Sequence, residues 1–126
     1  MYSISCKRVY DEPDINDGKR ILVDRLWPRG LKKEIAKLDF WAKDMTPSTD
    51  LRKWFSHDPD KYDAFSAQYT IELDNNPSAD SFIESLRNTL KTEPVTFLYA
   101  AKDTTNNHAN VLKNWVYKRL QQNKAE

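Results

Sequence analysis

The sequence predicts a small single-domain α/β protein, in which helices pack around a mostly parallel central sheet of three to four strands. Two apolar runs, at residues 21–23 and 95–101, have the near-continuous character of strands that are buried on both faces. Several helical patterns separate these runs, so a right-handed β-α-β crossover between parallel strands is the natural connection. The 126 residues fit one domain, which we expect to span residues 1–120, followed by a polar C-terminal tail at 121–126.

The N-terminal part of the chain contains two predicted strands. Residues 2–10 alternate along the chain in a way that predicts a strand with one buried face. Residues 19–24 form the second strand. Turn-forming residues connect the two over only about eight positions, whereas a parallel crossover normally needs a dozen or more. The strands are therefore either antiparallel or joined by an unusual extended crossover, and both alternatives stay open at this point.

The remaining elements follow from helix start signals and helical periodicity. Residues 31–45 fit either a short strand around 38–40 or a turn of helix. The pairs Thr46-Pro47 and Asp58-Pro59 are helix start signals, because a capping residue precedes a proline at the first helical position. The apolar spacing then predicts four helices. Two include residues 51–55 and 62–73, and the other two cover about 78–91 and 109–120.

The composition excludes several classes of function. Only two glycines rule out the glycine-rich phosphate loops, and a single cysteine rules out an intrachain disulfide or a cysteine-based metal motif. We therefore expect no cofactor and no metal. No apolar run reaches about 18 residues and the N-terminus has no apolar signal region, so we expect a cytoplasmic protein without membrane contact. The net charge of +1 gives no global argument for nucleic acid, although a local basic patch stays open.

Charged and polar residues follow the predicted strands where each of them ends. In open α/β sheets, ligands bind in the crevice outside the carboxyl ends of the strands. If the strands at 19–24 and 95–101 are parallel, their ends share one edge of the sheet, and a parallel first strand adds its own end there. The residues expected at this edge are Arg8 near the end of the first strand, Asp24 at the end of the second with Arg25, Trp27 and Arg29 after it, and Lys102, Thr104, Thr105, Asn107 and His108 after the last.

Together these residue types predict a small anion-binding pocket. Arginine recognises phosphate or carboxylate through two parallel hydrogen bonds, and Lys102 is well placed for a phosphate. The loop after the last strand leads into a helix N-terminus, where free backbone amides favour anions. Asp24 and His108 are the candidate catalytic residues, as an orienting group and an acid/base near neutral pH. Structural roles compete with these assignments: helix capping by Asn107 and the threonines, loop capping by Asp24, and core packing by Trp27.

A family resemblance rests on four stretches, at residues 6–11, 22–30, 46–59 and 99–109, within a similarity that runs from about Ser5 to Trp115. They resemble the YeaO-like branch of the family of domain of unknown function 488. The resemblance implies a small bacterial-type cytosolic α/β domain and no established activity. Other branches often carry Cys-His-Arg where this chain has Asn107-His108-Ala109, and a cysteine near Ala100. Thiol-dependent chemistry of those branches therefore cannot be carried over, whereas His108 and the Val-Asp-Arg run that ends at Arg25 match.

Three functional hypotheses follow from these patterns. The favoured one is a ligand-binding protein, or an enzyme of unknown reaction, whose partner is a small anion such as a phosphate ester, a nucleotide or a carboxylate. The alternative is a nucleic-acid-binding or regulatory module that uses the basic N-terminal segment, with Trp27 stacking on a base. The near-zero net charge and the lack of a helix-turn-helix argue against the alternative. The third is an interaction scaffold without a ligand, and the sequence does not indicate an oligomeric state.

Overall fold

The computed structural model describes residues 1–122, which fold around one four-stranded parallel sheet. The strands are β1 (Ile4–Arg8), β2 (Lys19–Leu22), β3 (Phe40–Trp41) and β4 (Val95–Tyr99), in the spatial order β1-β4-β2-β3. The α-helices are α1 (Lys33–Ala36), α2 (Thr49–Phe55), α3 (Tyr62–Asp74), α4 (Ala79–Thr89) and α5 (His108–Gln122), and 3₁₀ turns lie at Ile15–Asp17, Lys43–Met45 and Pro59–Lys61. The predicted α/β class and the parallel central sheet are thereby confirmed.

Different structures cover the two faces of the sheet. The side chains of Ile21 and Phe97 belong to the main hydrophobic core, to which α3, α4 and α5 contribute. Successive strand residues face opposite sides, so Leu22 and Leu98 lie on the other face. There they form a smaller cluster with Val9, onto which partly buried side chains from the loop after β2 pack. Helices therefore cover one face, and mainly irregular segments cover the other.

Of the two alternatives for the connection between β1 and β2, the extended crossover is the one that forms. Both strands run parallel to β4, which lies between them in the sheet. Among residues 9–18 the chain forms only a 3₁₀ turn, which a capping box between Asp14 and Asp17 stabilises. Gly18 ends this connection with a φ of +63°, and a β-carbon there would lie 2.1 Å from the Pro94 carbonyl oxygen. Because glycine has no β-carbon, the chain can pass this close to the residue before β4 and enter β2 without the helix of an ordinary crossover.

A buried ion pair fixes this crossover to the sheet. Asp17 is 8 % exposed and Arg20 is 5 % exposed, and the Arg20 guanidinium donates to Asp17 Oδ2 at 2.5 Å. Lys7 Nζ lies 3.2 Å from the same oxygen, and Arg20 also donates twice to the Ala36 carbonyl. Burial raises the pKa of Asp17, but hydrogen bonds from Asp14, Lys7 and Arg20 outweigh it and hold that pKa below its ordinary value of 3.8.

Of the two alternatives that the sequence left open for residues 31–45, the short strand forms near its predicted position, whereas the α-helix of this stretch lies before residue 38. The short helix α1 comes first, and the two-residue strand β3 then pairs with β2 at the edge of the sheet. Helix α2 begins later than the Thr46-Pro47 signal predicts, because Ser48 is its N-cap and accepts from the Leu51 backbone N–H at 3.2 Å. Thr46 instead donates its hydroxyl to the Lys43 carbonyl.

The C-terminal helix α5 continues to Gln122, so the first two residues of the expected tail are helical. Residues 123–126 of that tail lie outside the residues that the structure describes. Within residues 1–122, no helix combines the length and the apolar character that crossing a membrane requires.

Replacing Asp17 by asparagine is expected to lower the free energy of unfolding by about 3–5 kcal/mol, because it leaves the buried Arg20 charge without its partner. Urea denaturation of wild type and variant at neutral pH measures this loss. Folding lowers the pKa of Asp17, so its contribution is present above the ordinary value of 3.8 and is lost as the pH falls through the lower folded value. The difference between the two proteins should therefore shrink in acid.

The control is Asp11→Asn, which removes an exposed carboxylate from the same connection. It should change the free energy of unfolding by no more than about 0.5 kcal/mol. Equal losses for the two variants would contradict a structural role for the buried pair.

Gly18→Ala is expected to lower the melting temperature more than Gly30→Ala does. Both glycines have positive φ, at +63° and +74°, so both variants carry left-handed strain of about 1 kcal/mol or more. Only the Gly18 β-carbon would meet backbone, at the Pro94 carbonyl, whereas no neighbouring atom lies within 4 Å of the one at Gly30. Thermal unfolding followed by circular dichroism compares the two variants. Equal melting temperatures would contradict the close approach of Gly18 to the Pro94 carbonyl.

Candidate functional site

A cavity of about 950 Å³ opens where β2 and β4 end. Three segments supply most of its lining, namely the loop after β2, helix α2 with its flanking residues, and the loop between β4 and α5, and Phe65 of α3 completes it. This is the sheet edge at which the sequence places the ligand-binding residues. The candidates that line the cavity are Asp24, Arg25, Trp27, Arg29, Lys102, Asn107 and His108. Arg8, Thr104 and Thr105 are not part of the lining.

The Asp24 carboxylate joins the ends of the two central strands to helix α5. Its Oδ2 accepts a hydrogen bond from the Ala100 backbone N–H at 3.0 Å, and its Oδ1 lies 2.8 Å from Nε2 of His108. The side chains of His108 and Asp24 are only 18 % and 15 % exposed. Because a carboxylate oxygen only accepts, this contact assigns a ring proton to Nε2 and leaves Nδ1 as the acceptor of the neutral imidazole.

The loop after β2 forms one wall of the cavity. The indole Nε1 of Trp27 donates to a backbone carbonyl of the same loop at 2.7 Å, and its ring packs edge-on against a second tryptophan, so its orientation is fixed. Arg25 Nη1 lies 3.5 Å from the Pro47 carbonyl oxygen, which is a long hydrogen bond and leaves its other donors for a ligand. Arg29 has an exposed side chain, and its backbone carbonyl accepts from the Tyr10 hydroxyl at 2.8 Å.

Helix α2 forms a second wall, which the sequence patterns did not single out. Glu72 of α3 anchors the start of this helix by accepting from the Ser48 backbone N–H at 2.8 Å and from its hydroxyl at 2.6 Å. Arg52 and Lys53 then line the cavity. The Nε atom of Arg52 is buried and has no hydrogen-bond partner among the described residues. This buried atom is out of reach of a ligand, but the guanidinium to which it belongs is part of a residue that lines the cavity.

Two strained residues continue this wall after α2. Ser56 and His57 have φ values of +45° and +58°, and both line the cavity. Each left-handed residue other than glycine costs about 1–2 kcal/mol, and such strain is concentrated at ligand sites. Asp58, the next residue, acts as the cap that the sequence predicts, because its carboxylate accepts from the Asp60 backbone N–H. In the sequence, the adjacent basic residues Arg52 and Lys53, a few positions before His57, are the feature that could have indicated this wall.

The loop after β4 is folded back on itself at the rim of the cavity. Asp103 Oδ1 accepts hydrogen bonds from the backbone N–H groups of Asn106 and Thr105, both at 2.9 Å. These bonds hold the pKa of Asp103 below its ordinary value, so the carboxylate stays charged at neutral pH. Lys102 precedes it as an exposed residue and also lines the cavity.

Asn107 and the two threonines act chiefly within the protein. Asn107 is buried, and its Oδ1 accepts from the Asn110 backbone N–H at 3.0 Å, which caps helix α5. The backbone carbonyls of Thr104 and Thr105 accept from the Asn110 side chain. The threonines therefore shape the helix start from outside the cavity lining.

Arg8 also binds backbone rather than lining the cavity. Its Nε donates to the Ala101 carbonyl at 3.0 Å, and its Nη2 donates to the Ala100 carbonyl at 3.1 Å. Ala100 is thus held from two sides, since its N–H is bound by Asp24. The end of β1 therefore contributes to the site by positioning the loop after β4.

The lining of the cavity has an excess of positive charge, with five cationic side chains and two carboxylates. The cations are Arg25, Arg29, Arg52, Lys53 and Lys102, and the carboxylates are Asp24 and Asp103. Within the described part of the chain, no three His, Cys, Asp or Glu side chains come together as a metal site would require. Fold and cavity together define a parallel α/β protein with an open cationic cavity at the strand ends.

The chain belongs to the family described as "Inactive DUF488-N3 subclade", which it matches over residues 3–126. It is 49 % identical over 114 residues to "Uncharacterized protein YeaO" of Escherichia coli K12, covering 90 % of this chain and 96 % of that protein. It is 37 % identical over 105 residues to "Uncharacterized protein Mb3100c" of Mycobacterium bovis and "Uncharacterized protein Rv3073c" of Mycobacterium tuberculosis, covering 83 % of this chain and 86 % of each. No solved structure matches significantly. The resemblance to the YeaO-like branch is thereby confirmed.

Asp24→Asn is expected to move the ring proton of neutral His108 from Nε2 to Nδ1. The amide accepts from the Ala100 N–H only through its oxygen, which turns its NH₂ group towards Nε2 and makes that nitrogen an acceptor. Nitrogen NMR of the imidazole side chains, recorded above the pH at which they protonate, distinguishes the two tautomers. The ring signals of His57 serve as the internal control. Unchanged His108 signals in the variant would mean that Asp24 does not select the tautomer.

Proposed function

We propose that this protein binds a small anionic ligand in the cavity at the carboxyl ends of β2 and β4. The excess of cationic over acidic side chains around that cavity is the observation that carries the proposal. Charges of one sign in a cleft with apolar walls focus their field and raise the local concentration of the opposite charge. A phosphate ester, a nucleotide or a carboxylate fits this field.

The cationic residues divide into two roles in this proposal. Arg25 and Arg52 are partly buried and retain unused guanidinium donors, so they bind the anion directly with planar geometry. Arg29, Lys53 and Lys102 are exposed, and they attract the anion from the rim of the cavity. The proposal thus expects direct contacts to set the affinity and the rim charges to set its salt dependence.

The Asp24–His108 pair orients groups within the bound ligand in this proposal. Its 2.8 Å contact lies in the cavity wall, which also allows an acid/base role. Binding without turnover has the better support, because the family to which the chain belongs is described as inactive.

A nucleic-acid-binding or regulatory role draws less support from the contacts. It would use the basic N-terminal segment, but three of the cationic side chains in that segment already bind partners within the protein. Lys7 and Arg20 bind the Asp17 carboxylate, and Arg8 binds two backbone carbonyls. These side chains are therefore not available for phosphates of a nucleic acid.

A cytoplasmic location is part of the proposal. Cys6 is a free thiol, and burial raises its pKa to about 11 despite the opposing effect of Lys113. The thiol therefore stays protonated and unreactive at neutral pH, as suits a reducing compartment.

Isothermal titration with pyrophosphate and inorganic phosphate tests the binding proposal. We expect binding at low salt that weakens as the ionic strength rises. Arg25→Gln and Arg52→Gln should each weaken pyrophosphate binding about tenfold or more, because a hydrogen bond to a charged group contributes about 1.5–3 kcal/mol.

A matched pair of lysine variants provides the control. Lys102→Gln removes an exposed charge from the cavity rim, and Lys118→Gln removes an exposed charge from α5 outside the cavity. The first should weaken binding and the second should leave it unchanged. The proposal is wrong if neither anion binds at low salt, or if the two lysine variants weaken binding equally.

A further inference from the structure

We infer that the ligand of the cavity is a nucleoside phosphate, whose phosphate contacts the arginines and whose base stacks on Trp27. The inference rests on the proposed anion site and names its ligand class. A bare anion needs only the cationic residues, but the same cavity has size, aromatic surface and a rim carboxylate that a bare anion does not use.

The size of the cavity calls for a ligand with a sizeable neutral part. Its volume of about 950 Å³ lies near the top of the range of about 300–1,000 Å³ that is typical of small-molecule and cofactor sites. An inorganic anion fills only a small fraction of that space. A ligand that fills the cavity would therefore also contact residues other than the cations.

Trp27 offers a prepared surface for a flat group. It is partly exposed and lines the cavity, while its Nε1 hydrogen bond and its edge contact with Trp41 fix the ring. A ring that is already ordered loses little freedom when a base stacks on it. Phe55 and Phe65 extend the apolar lining, with ring centroids 4.2 Å apart, and both are buried.

Aromatic and cationic groups come from the same segments. Trp27 lies between Arg25 and Arg29 in one loop, and Arg52 lies one helical turn before Phe55 in α2. A ligand that reaches either wall therefore meets a cation and an apolar surface together. A nucleoside phosphate joins a charged group and a flat base through one sugar, which matches this combination.

The rim carboxylate suits the remaining part of such a ligand. Asp103 lines the cavity, and its pKa is held low by two backbone hydrogen bonds, so it is an acceptor at neutral pH. Acidic residues at the strand ends of α/β proteins commonly accept from sugar hydroxyls. The sugar of the nucleoside phosphate would thus be the group that Asp103 binds.

Titration of the full chain with a fragment series tests this inference. The probes are the four nucleoside 5′-monophosphates, the corresponding nucleosides, and ribose 5-phosphate. At least one nucleotide should bind about five- to a hundredfold more tightly than ribose 5-phosphate, as expected when one base stacks on an aromatic side chain. The same nucleotide should also bind more tightly than its nucleoside, because the phosphate contacts the arginines.

The outcomes separate this inference from the anion proposal. If ribose 5-phosphate binds as well as every nucleotide, or if only pyrophosphate binds, the nucleoside assignment is overturned and the anion site stands. If nucleosides bind as well as nucleotides, or if no probe binds, the anion proposal fails as well. A single-stranded, 5′-phosphorylated oligonucleotide is the last probe, and affinity that rises with its length would overturn a free nucleotide in favour of nucleic acid.

Two tryptophan variants test the base contact directly. Trp27→Leu should reduce nucleotide affinity and leave ribose 5-phosphate affinity unchanged. Trp54→Leu is the control, because Trp54 is 45 % exposed and does not line the cavity. If the leucine variant does not fold, Trp27→Phe replaces it in the test. This variant keeps an aromatic ring and should retain part of the nucleotide affinity. Equal loss for nucleotide and ribose 5-phosphate in a folded Trp27 variant would overturn the stacking role.

Discussion

The geometry of the cavity depends on the Asp24 carboxylate. Backbone hydrogen bonds from Val9 and Val23 to β4 pair the strands up to their ends, and side-chain contacts connect the loops that follow. Asp24 binds the Ala100 N–H and the His108 ring, which lie 76 and 84 residues away along the chain. Arg8 adds the end of β1 through the Ala100 carbonyl. Three adjacent strand ends and the start of α5 are thereby held in one arrangement, and the charged residues of the loops after β2 and β4 are placed relative to it.

The crossover without a helix explains why the loop after β2 belongs to the cavity. A helix between β1 and β2 would cover the sheet face that Leu22 and Leu98 share. The buried pair of Asp17 and Arg20 instead holds an extended segment there, and the loop with Trp27 packs against the rest of that face. The cations of that loop are consequently fixed near the strand ends by packing as well as by chain connectivity.

Much of the fold and one side of the site follow from local sequence patterns. Buried strands and helical stripes have characteristic periods, and residues directly after a strand must lie at its end. The wall from α2 does not follow, because the contact of Glu72 with Ser48 and the left-handed Ser56 and His57 depend on tertiary structure. Arg8 shows the opposite limit: its position at the end of the first strand is predicted, but its donors are taken by carbonyls that only the folded chain places nearby.

The unequal covering of the two sheet faces has a consequence for motion. The cluster of Val9, Leu22 and Leu98 is small, whereas the helical face has the extensive main core. Regions with few buried apolar contacts open at lower free energy than the rest of a protein. The loop over the small cluster is packed in the folded state, but we expect it to open at a lower free energy than the helical walls of the cavity.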